Sequence, residues 1–404
     1  MTHPSRVRVS GPLEPFAAAF AHELRRQGYT PISAVLQMRL MAHVSRWLTD
    51  EGLDPHCFYT REVERFLCAR RAAGRSSHLS GKAMQPMLSF LRGLGVVPMP
   101  SPSRPRGLVE ETLERFRRYL TIERGMADVS ARGYLDAVGP FLRTRVSAEG
   151  LHWDLDELSA ADVTTFVVAR CSHQSRGAAK LTVTALRSLL RFLHIEGAVK
   201  RLLTTAVPSV AGWRLAGLPK ALEPGHVRRL LSSCDRRTHM GQRDFAILTI
   251  LSRLGLRAGE VAALELGDID WRAGEVVVRG KGNRAERLPV PTDVGEAVAA
   301  YLRRGRPATA EGRAVFIRIR APHRALGKGG VTEVVVAAAR RAGMGPIYPH
   351  RLRHTVATLM LRAGATLPEI GQILRHRRVL TTAIYAKVDR DALRTIARSW
   401  PGGV

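Results

Sequence analysis

Acidic residues are scarce in this chain. Asp and Glu total 35 of 404 residues against 63 Lys and Arg, which leaves a formal net charge of +28 at pH 7. The excess is mostly arginine; a GC-rich genome would explain the preference for arginine but not the shortage of acidic residues. Arginine binds phosphate through paired N–H groups, whereas a membrane-surface protein would need a basic amphipathic helix or a lipid anchor. Nucleic acid is therefore favoured over a membrane as the partner.

Cysteine and long apolar stretches are also rare. The four cysteines include no Cys-x-x-Cys pair, so neither a zinc site nor a disulfide framework is predicted. No stretch approaches the roughly 20 apolar residues of a membrane span, and no long apolar run follows the first residues. We therefore expect a cytoplasmic protein associated with the nucleoid. A length of 404 residues allows two or three domains.

Proline and glycine concentrate in two segments that predict the domain boundaries. Residues 98–105 contain four prolines, too many for a helix or a central strand. A second group of prolines and glycines lies at about 207–222, just before Glu223-Pro224 opens a new helix. The sequence therefore predicts three domains, over residues 1–100, 107–205 and 218–404.

The first two predicted domains look like copies of each other at a spacing of roughly 100 residues. Phe66-Leu-Cys-Ala-Arg70 parallels Phe166-Val-Val-Ala-Arg170, and apolar spacing predicts a bundle of four or five helices in each. In both copies a loop with basic residues leads into the next helix, whose N-terminus suits a phosphate oxygen. The alternative is a solvated loop on a basic protein. The candidate DNA contacts are Arg75 and Lys82 in the first copy and Arg170, Arg176 and Lys180 in the second.

The last predicted domain combines helices with a β-hairpin. Strands over 275–279 and 286–290 flank a tight Gly-Lys-Gly-Asn turn. Thr366, with Glu369 three residues later, forms a capping box that opens a helix. The predicted fold class is therefore mainly α with a small β-hairpin or sheet in this domain, an α+β arrangement. Apolar spacing predicts further helices over about 244–254, 331–342 and 350–362, and a last amphipathic segment with Leu393, Ile396 and Trp400.

The helix predicted from His350 presents an imidazole and a guanidinium to one place. Leu352 and Val356 lie on its apolar face, while His350, Arg353 and His354 lie three and four residues apart on another. Two histidines four apart can hold zinc, but metalloprotease helices carry Glu between them where this one has Arg353, and a cation beside a metal is costly. We therefore expect no metal site.

The His350-x-x-Arg353 motif, together with its companions, resembles the tyrosine recombinase family, also called phage integrases. The resemblance covers about residues 220 to 390 and, more loosely, the SAM-like core-binding domain at 107–205. The family's motifs are matched in order by Gly255-Leu-Arg257-Ala-Gly-Glu260, by Lys281 in the hairpin turn, by Leu374-Arg-His376, and by Thr381-Thr-Ala-Ile-Tyr385.

The resemblance implies a role for each of these residues in cutting DNA. Arg257 and Arg353 would clamp the non-bridging phosphate oxygens while Lys281 protonates the leaving 5′-oxygen. Tyr385 would be the nucleophile of a 3′-phosphotyrosyl intermediate, since a tyrosine with a pKa near 10 becomes reactive once its proton is removed. His350 is the expected proton acceptor, supported by Glu260, and His376 is expected to donate a hydrogen bond to the phosphate. No cofactor, metal or nucleotide is required.

Two positions near these motifs carry separate expectations. Arg375 stands where the family usually has Gly, and its charge would either grip the DNA backbone or crowd the site. His354 recurs in the family's pattern and is interpreted as a structural helix residue.

The implied function is site-specific recombination in DNA integration or transposition. The resemblance implies a tetramer on two synapsed double-stranded DNA sites, to which accessory recombinases or DNA-bending proteins could contribute. One alternative is a type IB topoisomerase, against which the preceding helical domain argues. The other is a catalytically silent DNA-binding regulator, against which the complete catalytic set argues.

Overall fold

The computed structural model describes residues 4–100, 107–147, 152–155, 157–211, 221–280, 285–376, 382 and 384–385. The chain forms two compact units: one comprises Pro100–Ala216, and the other comprises Met1–Met99 with Gly217–Val404. Most of the proline-rich segment at 98–105, the hairpin turn with Lys281, and the segment from Leu393 to Trp400 lie outside the described residues. No helix in the described part of the chain is long and apolar enough to cross a membrane.

Residues 4–99 form a helical bundle with its own apolar core. Local signals open two of its helices: the Thr30 hydroxyl accepts a hydrogen bond from the Ser33 amide, and the Ser80 hydroxyl accepts one from Ala83. Phe20 and Met41 are among its fully buried side chains. The helices are α1 (Ala17–Arg26), α2 (Pro31–Asp50), α3 (Thr60–Ala72) and α4 (Gly81–Gly93).

The unit Pro100–Ala216 is a second helical bundle. A full capping box between Ser159 and Asp162 opens one helix, and the Ser175 side chain caps the next. Phe116 and Phe192 pack in its core with ring centroids 5.4 Å apart. The helices are α5 (Leu108–Arg118), extended by a π-helical turn at Tyr119–Glu123, α6 (Asp128–Arg143), α7 (Ala160–Cys171) and α8 (Arg176–Ile195).

Residues 221–385 combine helices with a three-stranded antiparallel sheet in the order β1-β2-β3, which confirms the predicted fold class. Val276 pairs with Leu288 in the predicted hairpin, and the predicted capping box of Thr366 and Glu369 is present. The strands are β1 (Ile269–Asp270), β2 (Glu275–Arg279) and β3 (Ala285–Pro289). The helices are α9 (Pro224–Ser232), α10 (His239–Arg253), α11 (Ala258–Ala262), α12 (Thr292–Ala300), α13 (Lys328–Arg341), α14 (Pro349–Arg362) and α15 (Leu367–Ile373).

The first bundle and residues 217–404 share one compact unit although their apolar cores are separate. The His323 amide donates a hydrogen bond of 3.1 Å to the Gln27 carbonyl, and Arg26 pairs with Glu311. Gly28 packs so closely that a Cβ there would lie 2.2 Å from His323 Nδ1. The division into three domains stays a prediction, because the first and last predicted domains fall in one compact unit.

Candidate active site

The first predicted catalytic motif forms a tight turn that holds Arg257 at the start of α11. Glu260, three residues on, accepts the Arg257 backbone N–H at 2.8 Å and Arg257 Nη1 at 2.6 Å. The carboxylate is 6% exposed, whereas the Arg257 side chain is 45% exposed. Burial alone would raise the pKa of Glu260, but the Arg257 amide and the charges of Arg375 and Arg257 outweigh it and lower that pKa. Glu260 is therefore ionised and holds the half-exposed Arg257 side chain in place.

Arg353, on α14, hydrogen-bonds to the first residues of the two other predicted motifs, which begin at Gly255 and Leu374. Its Nη1 donates to the Gly255 carbonyl at 2.6 Å, and its Nη2 donates to the Leu374 carbonyl. Arg257 Nη2 donates to the next carbonyl, that of Arg375, at 3.2 Å. Because the two guanidinium groups bond to consecutive carbonyls, they lie side by side. Arg353 is only 2% exposed, and burial, with the nearby charge of Arg257, lowers its pKa to about 10.

Arg375 ends α15 in a Schellman motif. Its amide bonds to the Gln372 carbonyl at 2.8 Å, the His376 amide bonds to Gly371 at 2.9 Å, and Arg375 itself has φ +54°. This left-handed position is where glycine is usual, which accounts for the family's glycine before the histidine. The Arg375 side chain turns inward and pairs with Glu260 Oε2 at 2.7 Å. The expectation that it grips the DNA backbone is therefore corrected, because the ion pair and burial take its guanidinium away from the surface.

Tyr385 lies in an apolar cluster against α14 and α15. Its ring is 2% exposed and packs with Val356, Ile370 and Leu374. Its hydroxyl lies 2.8 Å from Nδ1 of His354. Burial raises the pKa of Tyr385, although the charge of Arg353 acts in the opposite direction. The hydroxyl is therefore protonated at neutral pH and can donate its hydrogen to an unprotonated Nδ1 of His354.

Three histidines lie near Tyr385 or near its hydrogen-bond partner His354. The rings of His350 and His354 meet edge to face with centroids 4.2 Å apart, and His376 stacks parallel to the Tyr385 ring at 6.4 Å. His376 Nδ1 also lies 2.7 Å from the Thr382 hydroxyl. Burial, followed by nearby positive charges, lowers the pKa of all three histidines, to about 4 for His354 and His376. All three rings are therefore neutral at pH 7, and each has a nitrogen that can accept a proton.

His354 is the residue whose role the sequence does not reveal. The sequence pattern predicts a structural residue, yet in the structure it is His354 that makes the hydrogen bond to the Tyr385 hydroxyl. Its spacing of four residues from His350 puts the two rings on one face of α14, which is the available signal. The contact with Tyr385 cannot be read from spacing because the partners are 31 residues apart.

The charges of the site are unbalanced. Arg257, Arg353 and Arg375 supply three guanidinium groups, and Glu260 is the carboxylate that pairs with two of them. Among the described residues of the site, these three positive charges against one negative leave an excess that suits an anionic ligand. Within the described ranges, no group of three or more His, Cys, Asp or Glu residues is placed to hold a metal ion.

The remaining predicted contacts belong to the two helical bundles or lie outside the described residues. Lys281 falls in the undescribed part of the hairpin turn, so its role stays a prediction. The candidate DNA contacts of the two bundles are exposed and lie in the loops or at the helix ends where the sequence placed them; they are Arg75 and Lys82 in one unit, and Arg170, Arg176 and Lys180 in the other.

Comparison with known proteins identifies the family. Residues 220–391 match the model described as the phage integrase family, and residues 113–197 match the phage integrase N-terminal SAM-like domain. The chain is 40% identical over 396 residues to the putative integrase/recombinase y4rA of Sinorhizobium fredii, covering 97% of this chain and 95% of that protein. It is 28% identical to the tyrosine recombinase XerD of Listeria monocytogenes, covering 72% of this chain and 99% of XerD.

Solved structures show the same fold. A crystal structure of the XerH site-specific recombinase, bound to a palindromic difH substrate in a post-cleavage complex, matches with a TM-score of 0.53 and 15% identity, covering 98% of each chain. The matching family models and the relative at 40% identity show that the chain belongs to the phage integrase family. Its members are the tyrosine recombinases, enzymes that cut and rejoin DNA strands, and the comparisons give no support to a topoisomerase or a silent regulator.

Proposed function

We propose that this recombinase acts in DNA integration or transposition and that Tyr385 is its nucleophile. The observation that carries the assignment is the convergence of sequence-distant motifs around one arginine. Arg353 bonds to the carbonyls of Gly255 and Leu374, 98 and 21 residues away in sequence. The neighbouring His354 contacts the Tyr385 hydroxyl. A tyrosine buried for packing alone would not account for the charge of Arg353 and the imidazoles of His354 and His376 beside it.

The charge imbalance fits attack on a phosphodiester. The Tyr385 oxygen forms a bond to phosphorus, the bond from phosphorus to the 5′-oxygen breaks, and the 5′-hydroxyl leaves with a proton. Negative charge grows on the non-bridging oxygens in the transition state, where Arg257 and Arg353 can stabilise it. Attack by the released 5′-hydroxyl of another strand on the phosphotyrosyl bond reverses the step and restores the DNA, so no nucleotide is consumed.

The histidines provide the route for the tyrosine proton. His354 is the nearest acceptor, since its Nδ1 already lies 2.8 Å from the hydroxyl and a pKa of about 4 keeps its ring neutral at pH 7. Its contact with His350 gives a second neutral imidazole behind the first. The roles expected for His376 and Lys281 remain part of the proposal, and His350, the acceptor expected from the sequence, becomes a second acceptor behind His354. Because Tyr385 is 2% exposed, its hydroxyl has to become accessible before it can reach a phosphate.

The proposed partner is a double-stranded recombination site bound by a homo-oligomer. Among the solved structures of similar fold, a lambda integrase dimer is bound to a core site, and XerH is bound to its difH substrate. Exposed arginines and lysines at the starts of α4 and α8 support contacts to phosphates on both bundles. The excess of basic over acidic residues across the whole chain supports the same partner.

A suicide-substrate assay tests the proposal. Nicked DNA carrying the ends of the element that encodes the protein is incubated in EDTA with wild type, Tyr385→Phe and the matched control Tyr348→Phe, which changes an exposed tyrosine. We expect a covalent protein–DNA band on a denaturing gel from wild type and Tyr348→Phe, and none from Tyr385→Phe. A band from Tyr385→Phe would show that another residue is the nucleophile.

A further inference from the structure

Arg375 occupies a backbone position that disfavours every residue with a Cβ. It is the residue after the C-cap of α15, with φ +54°, in the Schellman motif. Glycine would take this conformation without strain, and the family usually has glycine here. An arginine at this position therefore carries a backbone cost that its side chain has to offset.

The side chain of Arg375 closes a ring of hydrogen bonds around Arg257. Arg375 Nη2 donates to Glu260 Oε2 at 2.7 Å, and Glu260 Oε1 accepts Arg257 Nη1 at 2.6 Å. Arg257 Nη2 then donates to the carbonyl of Arg375 itself at 3.2 Å. Both terminal nitrogens of Arg257 are thus held by groups that Arg375 supplies or orients. The guanidinium of Arg257 has five N–H groups, so this ring leaves donors for a phosphate.

Two simpler roles for Arg375 fit the structure less well. A direct grip on DNA conflicts with a side chain that is 4% exposed and paired with Glu260. A purely stabilising role is weak, because the desolvation of a buried ion pair commonly cancels its attraction. The strained backbone and the buried Arg375–Glu260 ion pair are better explained if they fix the orientation of the exposed Arg257 side chain, which is assigned to the substrate.

We propose that Arg375 is a positioning residue for strand cleavage, which orients Arg257 toward the scissile phosphate through the carboxylate of Glu260. The inference rests on the proposed function, since it assigns Arg257 to the phosphate. Arg375 does not touch the DNA itself.

The decisive variant is Arg375→Gly, which relieves the backbone strain and removes only the side chain. We expect it to fold and to bind the recombination site as wild type does, while single-turnover cleavage of the suicide substrate falls by about tenfold to a hundredfold. Arg375→Lys keeps a positive charge and should recover part of the rate. In a protein that already carries Glu260→Gln, Arg375→Gly should lower the cleavage rate little further, because the Glu260 carboxylate through which Arg375 acts is already missing.

The pH profile separates positioning from a structural effect. Glu260 faces the positive charges of Arg257, Arg375 and, more distantly, Arg353. Removing Arg375 should raise the pKa of Glu260, so cleavage should begin to fall at a higher pH on the acid side. Arg237→Gln is the matched loss of one positive charge, at a side chain that is 92% exposed, and should leave the profile unchanged.

Each result bears on a different claim. If wild type cleaves and Arg375→Gly matches its rate and pH profile, the positioning role is wrong. If Arg375→Gly loses binding in proportion to cleavage, Arg375 contacts DNA and the inference is overturned. Glu260 can also be titrated by NMR on carboxyl-labelled protein without substrate. An unchanged pKa of Glu260 in Arg375→Gly would overturn the pairing of Arg375 with Glu260, whether or not wild type cleaves DNA. The absence of a covalent product from wild type would refute only the proposed function.

Discussion

The two arginines assigned to the phosphate should respond differently to truncation. From sequence alone, Arg257→Ala and Arg353→Ala are equivalent losses of one phosphate ligand. In the structure, Arg353 is 2% exposed and supplies hydrogen bonds to the carbonyls of Gly255 and Leu374. Arg257 has a side chain that is 45% exposed and bonds to a carboxylate that Arg375 also holds. Arg353 is therefore a structural residue as well as a proposed ligand.

The size of the difference follows from the two carbonyls. A buried acceptor left without its donor costs about 1–3 kcal/mol, so Arg353→Ala should lower the free energy of unfolding by about 2–6 kcal/mol. For a domain of this size, that lowers the melting temperature by roughly 5–20 °C. Arg257→Ala should cost about 1 kcal/mol or less, because its guanidinium is half open to water. Both should cut cleavage by about a hundredfold or more.

Thermal unfolding and suicide-substrate cleavage measured on the same preparations test this reasoning. Cleavage should be measured well below the lowest melting temperature, so that the loss of rate in Arg353→Ala is not a loss of folded protein. An Arg353→Ala variant that melts within about 1 °C of wild type would refute the structural role, because two buried carbonyls without a donor should destabilise the protein by more than that. An Arg257→Ala variant that cleaves at the wild-type rate would refute its assignment to the phosphate.

Further measurements test the histidines and the turn. Folding lowers the pKa of His354 and His376 from 6.5 to about 4, so the unfolded chain binds more protons than the folded chain between these pH values. The free energy of unfolding should therefore fall by about 1–2 kcal/mol per histidine as pH drops from 6.5 to 4. A melting temperature that does not change over this pH range would contradict this. His354→Gln can still hydrogen-bond Tyr385 but cannot take its proton, so cleavage should slow about a hundredfold with binding unchanged, and a wild-type rate would exclude His354 as acceptor. Gly255→Ala should destabilise the protein by about 1–2 kcal/mol or more in denaturant titration, because Gly255 has φ +57° and a Cβ there would lie 2.8 Å from Leu374 Cδ2; an unchanged midpoint would show that the turn relaxes.

The sequence predicted the elements that carry the site because their signals are local. The β-branched residues of β2 and the tight turn predict a hairpin at the positions where the structure has one. The capping box at Thr366 predicts the start of α15 through two reciprocal hydrogen bonds between residues three apart. The i, i+3 and i+4 spacing on α14 predicts that His350, Arg353 and His354 share a face. None of these predictions needs knowledge of distant contacts.

The directions of the charged side chains could not be predicted in the same way. Arg353 is buried because Gly255 and Leu374, far away in sequence, present carbonyls to it. Arg375 points inward because the end of α15 sets its backbone in the left-handed region and Glu260, 115 residues earlier, receives its guanidinium. Spacing identifies which residues are candidates, but it does not say which of several arginines meets solvent and which meets a carboxylate.

The arrangement of these charges connects the stability of the site with its chemistry. A single buried carboxylate, Glu260, holds two guanidinium groups, and Arg353 is satisfied by carbonyls alone. Carbonyl dipoles can hydrogen-bond a guanidinium without neutralising it, so its positive charge remains available to an anion. A second carboxylate would pair with Arg353 and stabilise the folded protein, but it would also neutralise the positive charge that attracts a phosphate. Among the described residues, backbone carbonyls and the carboxylate of Glu260 hold the three arginines in place, an arrangement that fits the proposed binding of a phosphate.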